Sequence, residues 1–113
     1  MGRLEGKVAL ITGSGTGIGR ATAQSMAAEG AKVVVAELNA AAGEQTAQLI
    51  TQAGGQVIFV RTDVTEPDSM QAAVDRAVQH FGGLHVLHNN AGGSTSYPFL
   101  DTRVEHLEGS FHF

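Results

Sequence analysis

With 113 residues, 42% of them hydrophobic and 16% charged, the chain suits one small globular domain and is too short for two. A net charge of -4 offers no basic field to nucleic acid or an anionic membrane, and the lack of cysteine excludes disulfides, thiolate metal sites and a cysteine nucleophile. Met1 to Lys7 contains an acid and a lysine, unlike a signal peptide, and no apolar run nears the ~20 residues of a membrane span, so a cytoplasmic location is expected.

Lys7 to Ile11 is a short apolar run of the kind buried on both faces of a parallel sheet. Thr12-Gly13-Ser14-Gly15-Thr16-Gly17-Ile18-Gly19 follows, with four glycines in seven positions. Such a stretch is a poor helix interior or strand, but it suits a backbone that turns sharply and is closely approached. A helix is expected next, with Ile18, Ala21, Ser25 and Met26 on one side and Gly30 as its stop. Strand, glycine turn and helix together form a setting for a phosphate, which would meet free N–H groups and the positive end of the helix dipole. The strict G-x-G-x-x-G fingerprint is absent, because position 18 is isoleucine; the spacing is T-G-x-x-x-G-x-G.

Lys32 to Ala36 is a second strand, dominated by valine and ending at Glu37-Leu38-Asn39. Asn39 is placed to cap a helix that carries Ala42, Thr46, Leu49, Ile50 and Ala53 and stops at Gly54-Gly55. Gln56 to Val60 is the third strand, leading out through Asp63-Val64. Thr65 is the expected cap of the third helix, with Pro67 in its first turn and Met70, Val74, Ala77, Val78 and Phe81 as its buried face. Gly82-Gly83 ends it, and Leu84 to His88 forms a fourth strand that closes in Asn89-Asn90-Ala91-Gly92. A polar loop over 94–97 precedes Pro98, and Thr102 with Glu105 forms a capping box ahead of a last helix bearing Val104, Leu107 and Phe111. The alternation of strands and helices predicts an α/β fold of Rossmann type. Right-handed crossovers give a parallel sheet in the order 3-2-1-4 with helices on both faces.

The candidate site residues follow from this order. Gly13 allows the turn out of the first strand, and Gly17 and Gly19 admit a pyrophosphate and close helix packing. Glu37 lies eighteen residues past Gly19, at the carboxyl end of the second strand. An acid there accepts hydrogen bonds from both adenosine ribose hydroxyls and repels a 2′-phosphate. No Arg or Lys stands at positions 14, 38 or 39, which favours NAD over NADP. Asp63 suits a contact to adenine, although an aspartate after a strand is also a common turn former. Asn90 is placed to tie the fourth strand to the first. His85 and His88, three apart on the expected strand, point to opposite faces and make a poor metal pair; no metal site is expected.

The T-G-x-x-x-G-I-G stretch, Asp63-Val64 and Asn89-Asn90-Ala91-Gly92, in this order, resemble the cofactor-binding half of a short-chain dehydrogenase/reductase. The resemblance implies a nicotinamide cofactor and hydride transfer to or from a small alcohol or carbonyl substrate. It implies that Gly13, Thr16, Gly17, Ile18 and Gly19 line the dinucleotide. Glu37 would hold the adenosine ribose, Asp63 and Val64 the adenine, and Asn90, Ala91 and Gly92 the ribose near nicotinamide. Family members place His85 and His88 differently, with aspartate and valine there. Their catalytic serine and Tyr-x-x-x-Lys pair has no counterpart here, since the only lysines are Lys7 and Lys32 and neither follows Tyr97 by four. No catalytic residue is therefore expected among these residues. The expectation is a single dinucleotide-binding domain over 1–113 that lacks the catalytic half. The alternatives are a non-catalytic NAD-binding module and an inactive fragment. With the outer edge of the fourth strand unpaired, either marginal stability or homo-oligomerisation through that edge is expected.

Overall fold

The computed structural model describes residues 2–90. The expected residues Ala91 and Gly92, the polar loop, the capping box and the last helix lie outside them. Among the described residues, four strands alternate with three helices: β1 (Val8–Thr12), α1 (Gly17–Ala28), β2 (Lys32–Glu37), α2 (Ala40–Gln52), β3 (Gln56–Arg61), α3 (Pro67–Phe81) and β4 (Val86–His88). The sheet is parallel throughout, in the order β3-β2-β1-β4, as the alternation predicts.

β1 is apolar from Val8 to Ile11 and β2 from Val33 to Ala36 because both faces of the sheet are covered. Side chains alternate across a strand, so each run divides between two cores. Val8 and Leu10 of β1 join Val34 and Ala36 of β2 against Ala73, Val74 and Ala77 of α3. Ala9, Ile11, Val33 and Val35 face the other way, against Ala23 of α1 and Ile50 of α2. Helices therefore lie on both sides, α1 and α2 on one and α3 on the other. Burying each of these large aliphatic side chains contributes about 1.5–3 kcal/mol.

The expected faces of α2 and α3 are largely those observed. Thr46 and Ile50 of α2 are buried, as are Met70, Val74 and Ala77 of α3. Gly43 adds a close approach, because a Cβ there would lie 2.1 Å from Cε1 of Phe59 on β3. The expected face of α1 needs correction. Ile18 is 75% exposed and Ala21 and Ser25 face solvent, while Gly19 and Ala23 are buried and, of the expected residues, Met26 packs against the core. The small residues face the sheet so that the helix can sit close to it, a preference that hydrophobicity alone does not reveal.

Two caps test the local chemistry. The Asn39 side chain accepts from the Ala42 N–H at 3.0 Å, as expected for an N-cap. Thr65 does not cap α3; Glu66 stands at that position, without a side-chain cap, and Pro67 follows. The Thr65 hydroxyl donates instead to Asp63 Oδ1 at 2.6 Å. At the far end Gly82 (φ 88°) closes α3 in the left-handed conformation.

β4 is shorter than expected, beginning at Val86 and not at Leu84. His85 therefore precedes the strand. Its ring Nδ1 accepts from the Val8 N–H at 2.9 Å, and its own N–H donates to the Val8 carbonyl at 2.9 Å. Val8 is 2% exposed, so its N–H has no access to water as a substitute partner. His85→Ala is expected to cost about 1–2 kcal/mol, the price of a buried donor left without its acceptor. In a thermal melt this would appear as a fall of about 5–10 °C; a midpoint within about 2 °C of the parent would refute it. Among the described residues, no helix is long and apolar enough to cross a membrane.

Candidate nucleotide-binding site

The carboxyl ends of all four strands lie on one edge of the sheet, and the order reverses between β1 and β4. A crevice at such a reversal is where open α/β sheets place ligands. The backbone ladder runs on past the strand ends: the Gly13 N–H donates to the Ala36 carbonyl (2.9 Å), and the Thr62 N–H to the Glu37 carbonyl (3.0 Å). This holds the residues after β1, β2 and β3 in one rank.

The glycine stretch turns through positive φ at Gly13 (61°) and Gly17 (58°), which only glycine adopts without strain. Gly19 serves a different purpose. A Cβ there would stand 2.0 Å from the Gly13 carbonyl oxygen and 2.8 Å from Asn90 Nδ2. The first turn of α1 is thus pressed against the end of β1 and against the residue that closes β4. Ser14 is fully buried, and its hydroxyl donates to the Ile11 carbonyl at 2.7 Å.

α1 begins without a side-chain cap: Thr16 is the N-cap residue, and its side chain bonds none of the first-turn N–H groups. These groups have no partner within a helix. The space beside Gly17 is open, since an added Cβ would meet nothing within 4 Å. An uncapped helix N-terminus beside open space, at the end of a buried strand, fits the phosphates of a nucleotide. Among the described residues, Ile18 and Leu38 (50% exposed) are the exposed large hydrophobics, one after the glycine turn and one after β2.

Glu37 joins the glycine stretch to β2. Its Oε1 accepts from the Gly15 N–H at 2.8 Å, and its Oε2 from the Asn39 N–H at 3.0 Å. On the other side, the Thr12 hydroxyl donates to Asn89 Oδ1 (2.9 Å) and accepts from the Asn90 N–H (2.9 Å). Asn90 Nδ2 then donates to the Gly13 carbonyl at 3.3 Å. The expected link between the fourth strand and the first is therefore present, shared between Asn90 and Thr12.

Asp63 and Val64 stand on the same edge beyond β3, but Asp63 bonds locally. Its Oδ1 accepts from the hydroxyl and the N–H of Thr65 (2.6 and 3.0 Å), and its own N–H donates to Ser69 Oγ at 2.8 Å. The Thr65 hydroxyl, then the Thr65 N–H, hold its carboxyl below the ordinary value; desolvation opposes them and Arg61 adds a smaller pull. Among the described residues, then, the structure joins Gly13, Gly19 and Asn90 in one contact group and Glu37 with Gly15 in another. Thr12, Ser14, Gly15 and Asn89 take part although sequence reasoning gave them no role. Their signal is faint, because a threonine or serine beside glycine looks like any turn.

The groove between the carboxyl ends of α1 and α2, about 260 Å³ and lined by Ala27, Leu49, Ala53 and Gly55, lies at the opposite edge of the sheet. It is remote from these groups.

A model of the family described as short chain dehydrogenase matches residues 7–113. The chain belongs to the short-chain dehydrogenase/reductase family. A curated relative, 2,5-dichloro-2,5-cyclohexadiene-1,4-diol dehydrogenase of Sphingobium indicum, is 49% identical over 90 residues, covering 80% of this chain and 36% of that protein. A solved hydroxysteroid dehydrogenase from Escherichia coli superposes with a TM-score of 0.79 at 40% identity, over 90% of this chain and 45% of that one. A short chain dehydrogenase/reductase from Burkholderia phymatum, solved in complex with NAD, gives 0.73 at 44% identity, over 77% and 31%. The chain spans less than half the length of each of these relatives.

Proposed function

We propose that this chain is the nucleotide-binding domain of an NAD-dependent oxidoreductase. In the complete protein it would take part in hydride transfer between nicotinamide and a small-molecule alcohol or carbonyl. The observation that carries the reading is the Glu37 carboxylate at the mouth of the glycine turn, beside an uncapped helix N-terminus. The turn and the start of α1 would hold the pyrophosphate. Glu37 would accept from the ribose hydroxyls of adenosine and disfavour a 2′-phosphate, and Leu38 and Ile18 offer apolar surface to the flat rings. Asp63 and Val64 would flank adenine, and Asn90, Ala91 and Gly92 the ribose next to nicotinamide. The solved relative that holds NAD supports the choice of a nicotinamide cofactor. When bound, that cofactor would supply or accept the hydride; these residues bind and orient it.

The 113 residues contain no Tyr-x-x-x-Lys, so no turnover is proposed for them alone. A cytoplasmic setting suits this reading.

Titration calorimetry with NAD and NADP tests the proposal. The chain is expected to bind NAD more weakly than micromolar and in preference to NADP. Glu37→Gln, which removes the charge but keeps the shape, should reduce the NAD-to-NADP preference by about tenfold, the worth of a charge-assisted hydrogen-bond pair. Equal affinity of the parent for the two cofactors would sink the assignment of Glu37.

A further inference from the structure

We propose that Thr46, on α2, is a positioning residue for the glycine turn, acting through Gly15 without touching the ligand. The inference rests on reading that turn as the phosphate cradle. Thr46 is fully buried, and its hydroxyl donates to the Gly15 carbonyl at 3.2 Å. A hydroxyl has one proton to give, so its lone pairs face the other way; there they accept from Arg20 Nε at 2.9 Å. Arg20 Nη2 in turn donates to Gln45 Oε1 at 3.1 Å. The chain of bonds therefore runs from α2 to the middle of the turn and to the first turns of α1.

Gly15 is held on both sides of its peptide. Its N–H is taken by Glu37 and its carbonyl by Thr46. It is also sterically confined, because a Cβ there would lie 2.8 Å from Ala42 Cβ and 2.8 Å from Glu37 Cγ and Cδ. The two anchors differ in what a nucleotide does to them. Glu37 already accepts from two backbone N–H groups, and ribose hydroxyls would compete with these for its oxygens. Thr46 has no such competitor, since its hydroxyl is buried beneath the turn. Once the ribose has taken Glu37, Thr46 keeps Gly15, and with it Thr16 to Gly19, in place.

Thr46→Val removes the hydroxyl and keeps the shape; Thr46→Ser keeps the hydroxyl. Amide hydrogen exchange of the ligand-free chain is the first readout and titration with NAD the second. Thr46→Val is expected to speed exchange of the Gly15 amide, which Glu37 holds, by about 5- to 10-fold, the worth of one hydrogen bond, with α3 and β3 unchanged. It should weaken NAD binding by a similar factor, and Thr46→Ser should behave as the parent in both. Arg20→Met tests the chain of bonds from its more exposed end, with an expected rise of about twofold at the Gly15 amide, and decides the matter if Thr46→Val does not fold. Unchanged exchange of the Gly15 amide, a rise spread evenly over the sheet, or a serine variant that matches the valine one would each overturn the proposal. If the parent chain fails to bind NAD, the reading of the turn as a cradle falls, while the exchange comparison still decides whether Thr46 positions it.

Discussion

Leu10→Ala is expected to be the most damaging single truncation in the sheet, lowering stability by about 3–4 kcal/mol. Leu10 sits in the middle of the central strand β1 and is 0% exposed. It belongs to the core that joins β1 and β2 to α3. Its neighbours in the sheet, Val34 on β2 and Leu87 on β4, are held in register by backbone bonds on both sides. They cannot collapse inward to fill the cavity, so the cavity cost adds to the lost transfer free energy. Thermal unfolding followed by circular dichroism should show a midpoint lowered by about 15 °C or more, or no cooperative transition at all. A loss below about 1 kcal/mol would show that this core relaxes freely, contrary to its packing.

Gly19→Ala is the second large effect, and its origin is the opposite one. Nothing is removed; a methyl group is added where its nearest neighbour would be the Gly13 carbonyl oxygen at 2.0 Å. A flexible side chain could swing aside, but a carbonyl cannot. Gly13 is fixed at positive φ, donates to the Ala36 carbonyl and accepts from Asn90 Nδ2. Relief therefore requires moving α1 away from β1 or breaking the link to β4. The expected cost is about 3 kcal/mol, the upper end for overpacking, with a midpoint about 10–15 °C lower. NAD binding should be lost even under conditions where the variant remains folded. A variant with a parental midpoint and parental affinity would show that the turn and helix are less closely packed than these distances require.

Most of the fold was legible because its physical signals are local. The apolar runs of β1 and β2 are continuous, which suits strands covered on both faces. Asn39 sits where a cap is needed, and Gly82 closes α3 where the apolar spacing ends. What was not legible depends on distance across the fold. The fully buried residues of α1 are Gly19 and Ala23, with Met26 packed beside them and Ile18 exposed, because the turn it follows pulls its start close to the sheet. The different bonding of Thr65 follows from Asp63, whose carboxylate takes both the hydroxyl and the N–H proton of Thr65, whereas the start of α3 offers only donors. The histidine before β4 read as one of a mismatched pair; in the fold its Nδ1 is an acceptor for β1.

The same division runs through the site. Sequence alone determined the glycine spacing, the acid at Glu37 and the asparagine at Asn90, since backbone turns, charge and hydrogen-bonding capacity belong to the residues themselves. It also determined which strand each of them ends. Only the tertiary structure decided that Glu37 reaches across to the Gly15 N–H, that Thr12 shares the tie to β4 with Asn90, and that Thr46 holds the turn from beneath. These contacts join residues 22, 78 and 31 positions apart. Whether such groups meet depends on how β1, β2, β4 and α2 pack, and no local pattern encodes it.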